Sequence, residues 1–296
     1  MRHFPLAAVF AATLLLTPMM VPAAPAAAAT GDRFSVQVDG QGPDVILVPG
    51  LGSGPAVWTA TVAQLKATRR VHVIRVGGFA GEPAGANASG DIVAPLAEQL
   101  ARYIDAHKLK APAVIGHSLG GEAALMLAAR HPDAVGRVMV VDALPFYSLL
   151  LDPTATADGM KPRATAFRDA MLAAPAEQAA AMQSATMARL VKTADARPAI
   201  VAAAQQSDRS VLARATYEIM TTDLRPELSR IRAPLTVLYA YDKVYGFTPA
   251  QVDANFRTVY AQAKTARFVR VDDSFHFVMV DQPATFAQAV EAFLAD

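Results

Sequence analysis

Two hydrophobic rhythms alternate along this chain. Phe34–Val38 (FSVQV) switches between apolar and polar residues with a period of two. Asp44–Val48 (DVILV) is almost continuously apolar and stops at Pro49-Gly50. Val71–Val76, Ala113–Ile115, Val138–Val141, Leu235–Tyr239 and Arg267–Val271 are further short runs rich in β-branched residues, and each fits a strand. Between them lie segments of helical period: Val57–Ala67, Asp91–His107, Leu119–Arg130, Pro249–Ala263 and Pro283–Leu294. Pro249 and Pro283 fall at helix starts, and His131-Pro132 closes the helix before it. Strands alternating with helices at these lengths predict an α/β fold, a mostly parallel, doubly wound sheet covered on both faces.

Pro145 to Arg225 breaks the alternation. This Ala-rich stretch has no clear strand, and prolines at 153, 162, 175 and 198 mark the ends of candidate helices. Helical material inserted between two strands predicts a cap over the carboxyl edge of the sheet, so residues 145–225 are expected as a cap within a core of 30–144 and 226–296. Its methionines (Met160, Met171, Met182, Met187 and Met220) suit helix-on-helix packing or an apolar pocket wall. The small-residue segment Gly77–Gly90 lacks any phosphate-binding glycine pattern and is expected to be a pocket rim or spacer.

The first thirty residues carry a different signal. Arg2 is the only charged side chain before Asp32; it precedes the apolar run Leu6–Leu16, Pro18, and a Pro/Ala tract ending Ala27-Ala28-Ala29. That is the layout of a secretory signal peptide, with cleavage expected after Ala29. Leu6–Leu16 is shorter than the roughly 20 residues that span a bilayer, so no stable anchor is expected and the product is secreted or periplasmic.

Composition narrows the chemistry. The chain has no cysteine, which excludes disulfides, thiolate metal sites and a cysteine nucleophile. Lys+Arg 27 against Asp+Glu 26 gives a net charge of +1, with no basic run to bind nucleic acid. No metal-binding spacing occurs, and neither a metal nor a cofactor is expected; the oligomeric state is left open.

One motif remains. Gly116-His117-Ser118-Leu119-Gly120 lies between a strand and a helix, the G-x-S-x-G pattern of a strained turn that thrusts a serine hydroxyl out of the chain. Gly116 and Gly120 remove the Cβ atoms that would collide across the turn. A serine nucleophile needs a base. His3 lies in the signal segment, His72 inside a strand, and His107 and His131 at helix ends. His117 must point away from its neighbour's hydroxyl. His276, directly after the strand Arg267–Val271, fits the base by position. The base in turn needs a carboxylate. The order Ser…Asp/Glu…His admits Asp242, just after Leu235–Tyr239 and the favoured acid, and Asp142, after Val138–Val141, as the alternative; Asp272 and Asp273 are expected to be solvated. Oxyanion donors are expected from the N–H groups of Leu119 and Leu51, with Gly52 as the fallback.

With these residues in place, the chain from Phe34 to Asp296 resembles the α/β-hydrolase superfamily through VILVPGLGSGPAVW (45–58), VIGHSLGGEAAL (114–125), DLRPELSRIRAPLTVLYAYDK (223–243) and DDSFHFVMVDQPATF (272–286). It also resembles the cap-bearing branch of esterases, lactonases and C–C-bond hydrolases. The resemblance implies a triad of Ser118, Asp242 and His276 with Leu51 and Leu119 as oxyanion donors. Many members carry His-Gly after the first core strand, whereas Pro49-Gly50 stands here and proline has no N–H. The expected function is hydrolysis of an uncharged, small-to-medium ester through an acyl-serine. Lactone or C–C-bond hydrolysis by the same residues, or non-catalytic ligand binding, are the alternatives.

Overall fold

The computed structural model describes residues 32–295. The signal segment expected over residues 1–29 lies outside the described residues. Seven strands form one sheet: β1 (Phe34–Gly40), β2 (Asp44–Val48), β3 (Arg70–Val76), β4 (Ala113–His117), β5 (Arg137–Val141), β6 (Leu235–Tyr241) and β7 (Ala266–Asp272). Their order is β1-β3-β2-β4-β5-β6-β7, with β1 antiparallel to β3 and all other pairs parallel. Every strand read from the sequence is present.

The strand compositions follow from these positions. β2 and β4 are central, and their apolar runs are buried on both faces by helices. β1 lies at one edge, where FSVQVDG keeps most of its residues partly or fully exposed. Around the sheet stand α1 (Thr59–Leu65), α2 (Val93–Ala106), α3 (Leu119–Arg130), α8 (Pro249–Val259), the single turn α9 (Val278–Asp281) and α10 (Pro283–Ala295). Two apolar cores result, one on each face. Ile46, Val114 and Val140 pack with α2 and α3 on one side, and Leu47, Ile115 and Val141 pack with Trp58 and Phe286 on the other. Alternate residues of each strand thus serve opposite cores.

Between β5 and β6 come α4 (Ala157–Ala173), α5 (Ala176–Leu190), α6 (Arg197–Gln205) and α7 (Arg209–Thr221). Thr156 caps α4 by accepting from the Gly159 N–H, and Asp208 caps α7 by accepting from Ser210 and Val211. Met160 and Met220 join Phe146, Ala155 and Ala164 in a small core beneath these helices, while Met171, Met182 and Met187 line a cavity, so the cap methionines divide between the two roles. Gly77–Gly90 does not line that cavity; it seats the cap. The Asp208 N–H donates to the Gly78 carbonyl at 2.7 Å, the Ala80 N–H to Ser207 Oγ at 2.8 Å, and the Arg214 guanidinium to the Asn87 and Gly90 carbonyls. Glycine-rich backbone suits this role because it lets a helix approach closely: a Cβ on Gly78 would collide with Val211.

Candidate active site

Parallel strands deliver their following loops to one edge of the sheet, and the candidate residues converge there. β4 ends at His117, and Ser118 follows with φ 53° and ψ −124°, a left-handed conformation that serine adopts only when its surroundings enforce it. Two things enforce it here. The Ser118 N–H donates to the Val141 carbonyl of β5 at 2.9 Å, and the Gly121 and Glu122 N–H groups donate to the Ser118 carbonyl. Gly116 and Gly120 face each other across the turn, so that a Cβ on Gly116 would strike the Gly120 carbonyl. A Cβ on Gly120 would strike the carbonyls of Val48 and Pro49. The second glycine therefore also lets the turn pack against the loop after β2.

That loop carries Leu51. The Gly50 Cα lies so near that a Cβ on it would stand 3.0 Å from Ser118 Cβ and 2.9 Å from His117 Nδ1. Leu119 is the first residue of α3, where N–H groups have no intrahelical acceptor and the helix dipole is positive. Among the backbone hydrogen bonds of the described residues, neither the Leu51 nor the Leu119 N–H has an acceptor.

His276 follows β7 and, with Ser118, Gly50 and Leu51, lines a cavity of about 640 Å³ between sheet edge and cap. Its Nδ1 donates to Asp142 Oδ2 at 2.7 Å. With Nδ1 as donor, Nε2 keeps its lone pair. The second oxygen, Asp142 Oδ1, accepts from the Ala240 N–H of β6 at 2.9 Å. Asp142 sits at φ 47° immediately after β5, and its own N–H donates to the Leu238 carbonyl, so its backbone is held on both sides.

The expected partner of His276 is thereby corrected. Asp242 does not bond His276; its Oδ2 accepts from Lys192 Nζ at 2.6 Å and its Oδ1 caps the turn at Val244. The Lys192 ammonium and the Val244 N–H hold this carboxyl below the usual carboxylate range. The two carboxylates follow adjacent strands, β5 and β6, and their own partners separate them: Asp142 meets His276, while Asp242 is taken up by Lys192 and Val244. Chain order alone does not distinguish the two loops. Asp272 and Asp273 are exposed, as expected; Asp272 pairs with Arg270.

Two residues gain roles the sequence did not assign. His117 is completely buried, and its Nε2 donates to the His276 carbonyl at 3.0 Å. Desolvation, then the nearby His276, pushes the His117 pKa well down, so the ring is neutral. It ties the turn bearing Ser118 to the loop bearing His276, with the Phe277 ring tilted against it at 4.9 Å between centroids. Asp281 anchors that same loop to the cap: its carboxylate accepts from the N–H groups of Phe275, Lys192 and Thr193. The Phe277 N–H completes the seam by donating to the Leu190 carbonyl at the end of α5.

A strained serine and a carboxylate-held histidine lining one cavity, on the carboxyl edge of a mostly parallel sheet and beneath helices, define an α/β-hydrolase framework. The chain belongs to the α/β hydrolase fold family, whose match runs over residues 43–283. It is similar to the pimeloyl-[acyl-carrier protein] methyl ester esterase of Vibrio cholerae, at 30% identity over 266 residues, covering 87% of this chain and 96% of that one. Among solved structures it is similar to an enol-lactonase from Burkholderia xenovorans (TM-score 0.70, 22% identity, 89% of this chain and 96% of the other). A thermophilic esterase from Thermogutta terrifontis superposes with TM-score 0.72 at 18% identity, covering 88% and 93%. At these identities the two structures speak to the fold alone.

Proposed function

We propose that this chain is an exported serine hydrolase that cleaves an uncharged carboxylic ester. The observation that carries the reading is the bond from His276 Nδ1 to Asp142 Oδ2 at 2.7 Å, at the wall of the same cavity that exposes the strained Ser118. The ester activity named for the relatives at about this level of identity supports the reaction class.

In this reading Ser118 Oγ attacks the ester carbonyl while His276 Nε2 takes its proton, and Asp142 holds the imidazole in its tautomer and stabilises the imidazolium. The Leu51 and Leu119 N–H groups receive the oxyanion. Removing one such donor typically costs ~10²–10³ in rate. The imidazolium then protonates the leaving alcohol, and water activated by the same base releases the acid from Ser118. Pro49 does not obstruct this scheme, because the donor is Leu51, two residues further on. The cavity walls supplied by the cap are mainly apolar (Leu150, Phe167, Met171, Met182, Met187 and Leu190), which suits an aliphatic chain. Export rests on the leader, and the mature protein would then meet free esters outside the cytoplasm.

Hydrolysis of p-nitrophenyl esters graded by chain length tests the reading. Turnover lost in both Ser118→Ala and His276→Gln is the expected result; an equally active Ser118→Ala protein would overturn it. Cell fractionation with N-terminal sequencing tests export, with Thr30 expected as the first residue.

A further inference from the structure

The helix that opens at Leu119 is buried almost all round, and its sequence LGGEAALMLAAR holds a single acid, Glu122. Glu122 is 3% exposed, yet it contributes to the wall of the cavity that contains Ser118, and its Oε2 has no hydrogen-bond partner among the described residues. An unpaired carboxyl kept out of water is costly, and a folded protein retains one where something else satisfies it.

The surroundings say what could do so. Desolvation, reinforced by Glu218, drives the Glu122 carboxyl well above its ordinary pKa. Glu218 cannot share with it as a cap, because its oxygens accept from the Ile92, Val93 and Ala94 N–H groups at the start of α2. The nearby phenols do not supply a counter-charge, and the Tyr260 hydroxyl donates to the Ala143 carbonyl. The one cation among the lining residues, Arg209, donates to the Ala174 carbonyl instead. A neutral carboxyl offers one O–H donor. Glu122 stands one helical turn after Ser118, about 6 Å along the axis, and helical side chains lean back toward the N-terminus. Leu212, Ile219, Tyr147 and Phe256 also line this cavity, and the Thr216 hydroxyl that lines it donates to the Leu212 carbonyl.

We propose that Glu122 is a specificity residue whose carboxyl, buried and without a partner at the wall of the Ser118 cavity, donates a hydrogen bond to an uncharged oxygen (keto, hydroxyl or ether) carried by the substrate a few atoms from the scissile ester carbonyl. The preferred substrate class is therefore an oxygenated aliphatic ester and not a plain alkyl one. This rests on the serine-hydrolase reading, and the experiment below separates the two.

The test compares p-nitrophenyl hexanoate with its monoketo isomers, the carbonyl moved along the chain one position at a time. One isomer should exceed the plain ester about tenfold in kcat/KM, the size expected for one buried hydrogen bond. Glu122→Gln, which keeps an N–H donor, should retain most of that ratio; Glu122→Leu and Glu122→Met should bring it within about twofold. Calorimetric titration of Ser118→Ala with a ketone and its matched alkane gives the same comparison without turnover, and the ketone advantage should vanish in Ser118→Ala/Glu122→Met. A ratio unchanged by Glu122→Leu or Glu122→Met, a wild type indifferent to every isomer, or preference for an ammonium-bearing ester would overturn the proposal. Intact specificity ratios in binding with no turnover by the wild type would instead overturn only the hydrolase reading.

Discussion

Replacing Asp142 by asparagine separates the two candidate acids most sharply. In the native site both carboxylate oxygens are used: Oδ1 accepts from the Ala240 N–H and Oδ2 from His276 Nδ1. An asparagine has only one oxygen. If it faces Ala240, its amide N–H₂ confronts His276, and the imidazole must present a lone pair at Nδ1 and carry its proton on Nε2. That is the wrong tautomer for a base. If the oxygen faces His276, the amide opposes the partly buried Ala240 N–H, which leaves a donor unsatisfied at up to about 1–3 kcal/mol. The first arrangement is favoured, and the loss should approach the ~10⁴-fold typical of a triad with its acid amidated, or about 5.5 kcal/mol of transition-state stabilisation. Asp242→Asn neutralises the buried partner of the half-exposed Lys192 but keeps a side-chain oxygen as acceptor and leaves the His276–Asp142 bond intact, so kcat/KM should fall less than about fivefold. Steady-state hydrolysis of a p-nitrophenyl ester at neutral pH, with circular dichroism to verify folding, gives both numbers. The reasoning fails if Asp242→Asn is the more damaging substitution.

Other consequences can be checked directly. Gly116→Ala places a Cβ against the Gly120 carbonyl, a backbone clash that nothing flexible can relieve, and urea unfolding should show a loss of about 3 kcal/mol or more. His117 has a folded pKa below its unfolded one, so the stability it contributes is present above pH ~6.5 and declines as pH falls through that value. Glu122 has the opposite sign: its folded pKa is raised, so its contribution is complete below pH ~4.5 and is lost as pH rises. Melting temperatures across pH 4–8 should therefore show a shallower acid-side decline in His117→Phe and a shallower decline on raising pH in Glu122→Gln, relative to wild type. Asp281→Ala frees three backbone donors in the seam between cap and His276 loop and should lower both melting temperature and kcat.

Much of this was legible before any coordinates. The central strands were legible because parallel strands buried on both faces are almost continuously apolar, and the antiparallel edge strand β1 because it alternates. The turn at Ser118 was legible because its two glycines are demanded by carbonyl oxygens at fixed places. The choice between Asp142 and Asp242 was not legible, since both follow strands of the same sheet and only the folded loops show which carboxylate meets His276 and which meets Lys192. The role of Gly77–Gly90 was hidden for a related reason: its partners, Ser207, Asp208 and Arg214, lie more than a hundred residues away. Glu122 did leave a signal, a lone acid in an otherwise apolar helix one turn beyond the serine, and the helix pattern alone does not say that the residue faces a cavity.

The central claim is that Ser118 is a nucleophile activated by His276. Exposure of the purified mature protein to a fluorophosphonate, followed by intact mass and peptide mapping, tests it most directly. The account predicts one adduct per chain on Ser118, absent in Ser118→Ala and strongly slowed in His276→Gln. Labelling of another residue, or a Ser118 that stays unmodified in folded protein, would contradict it.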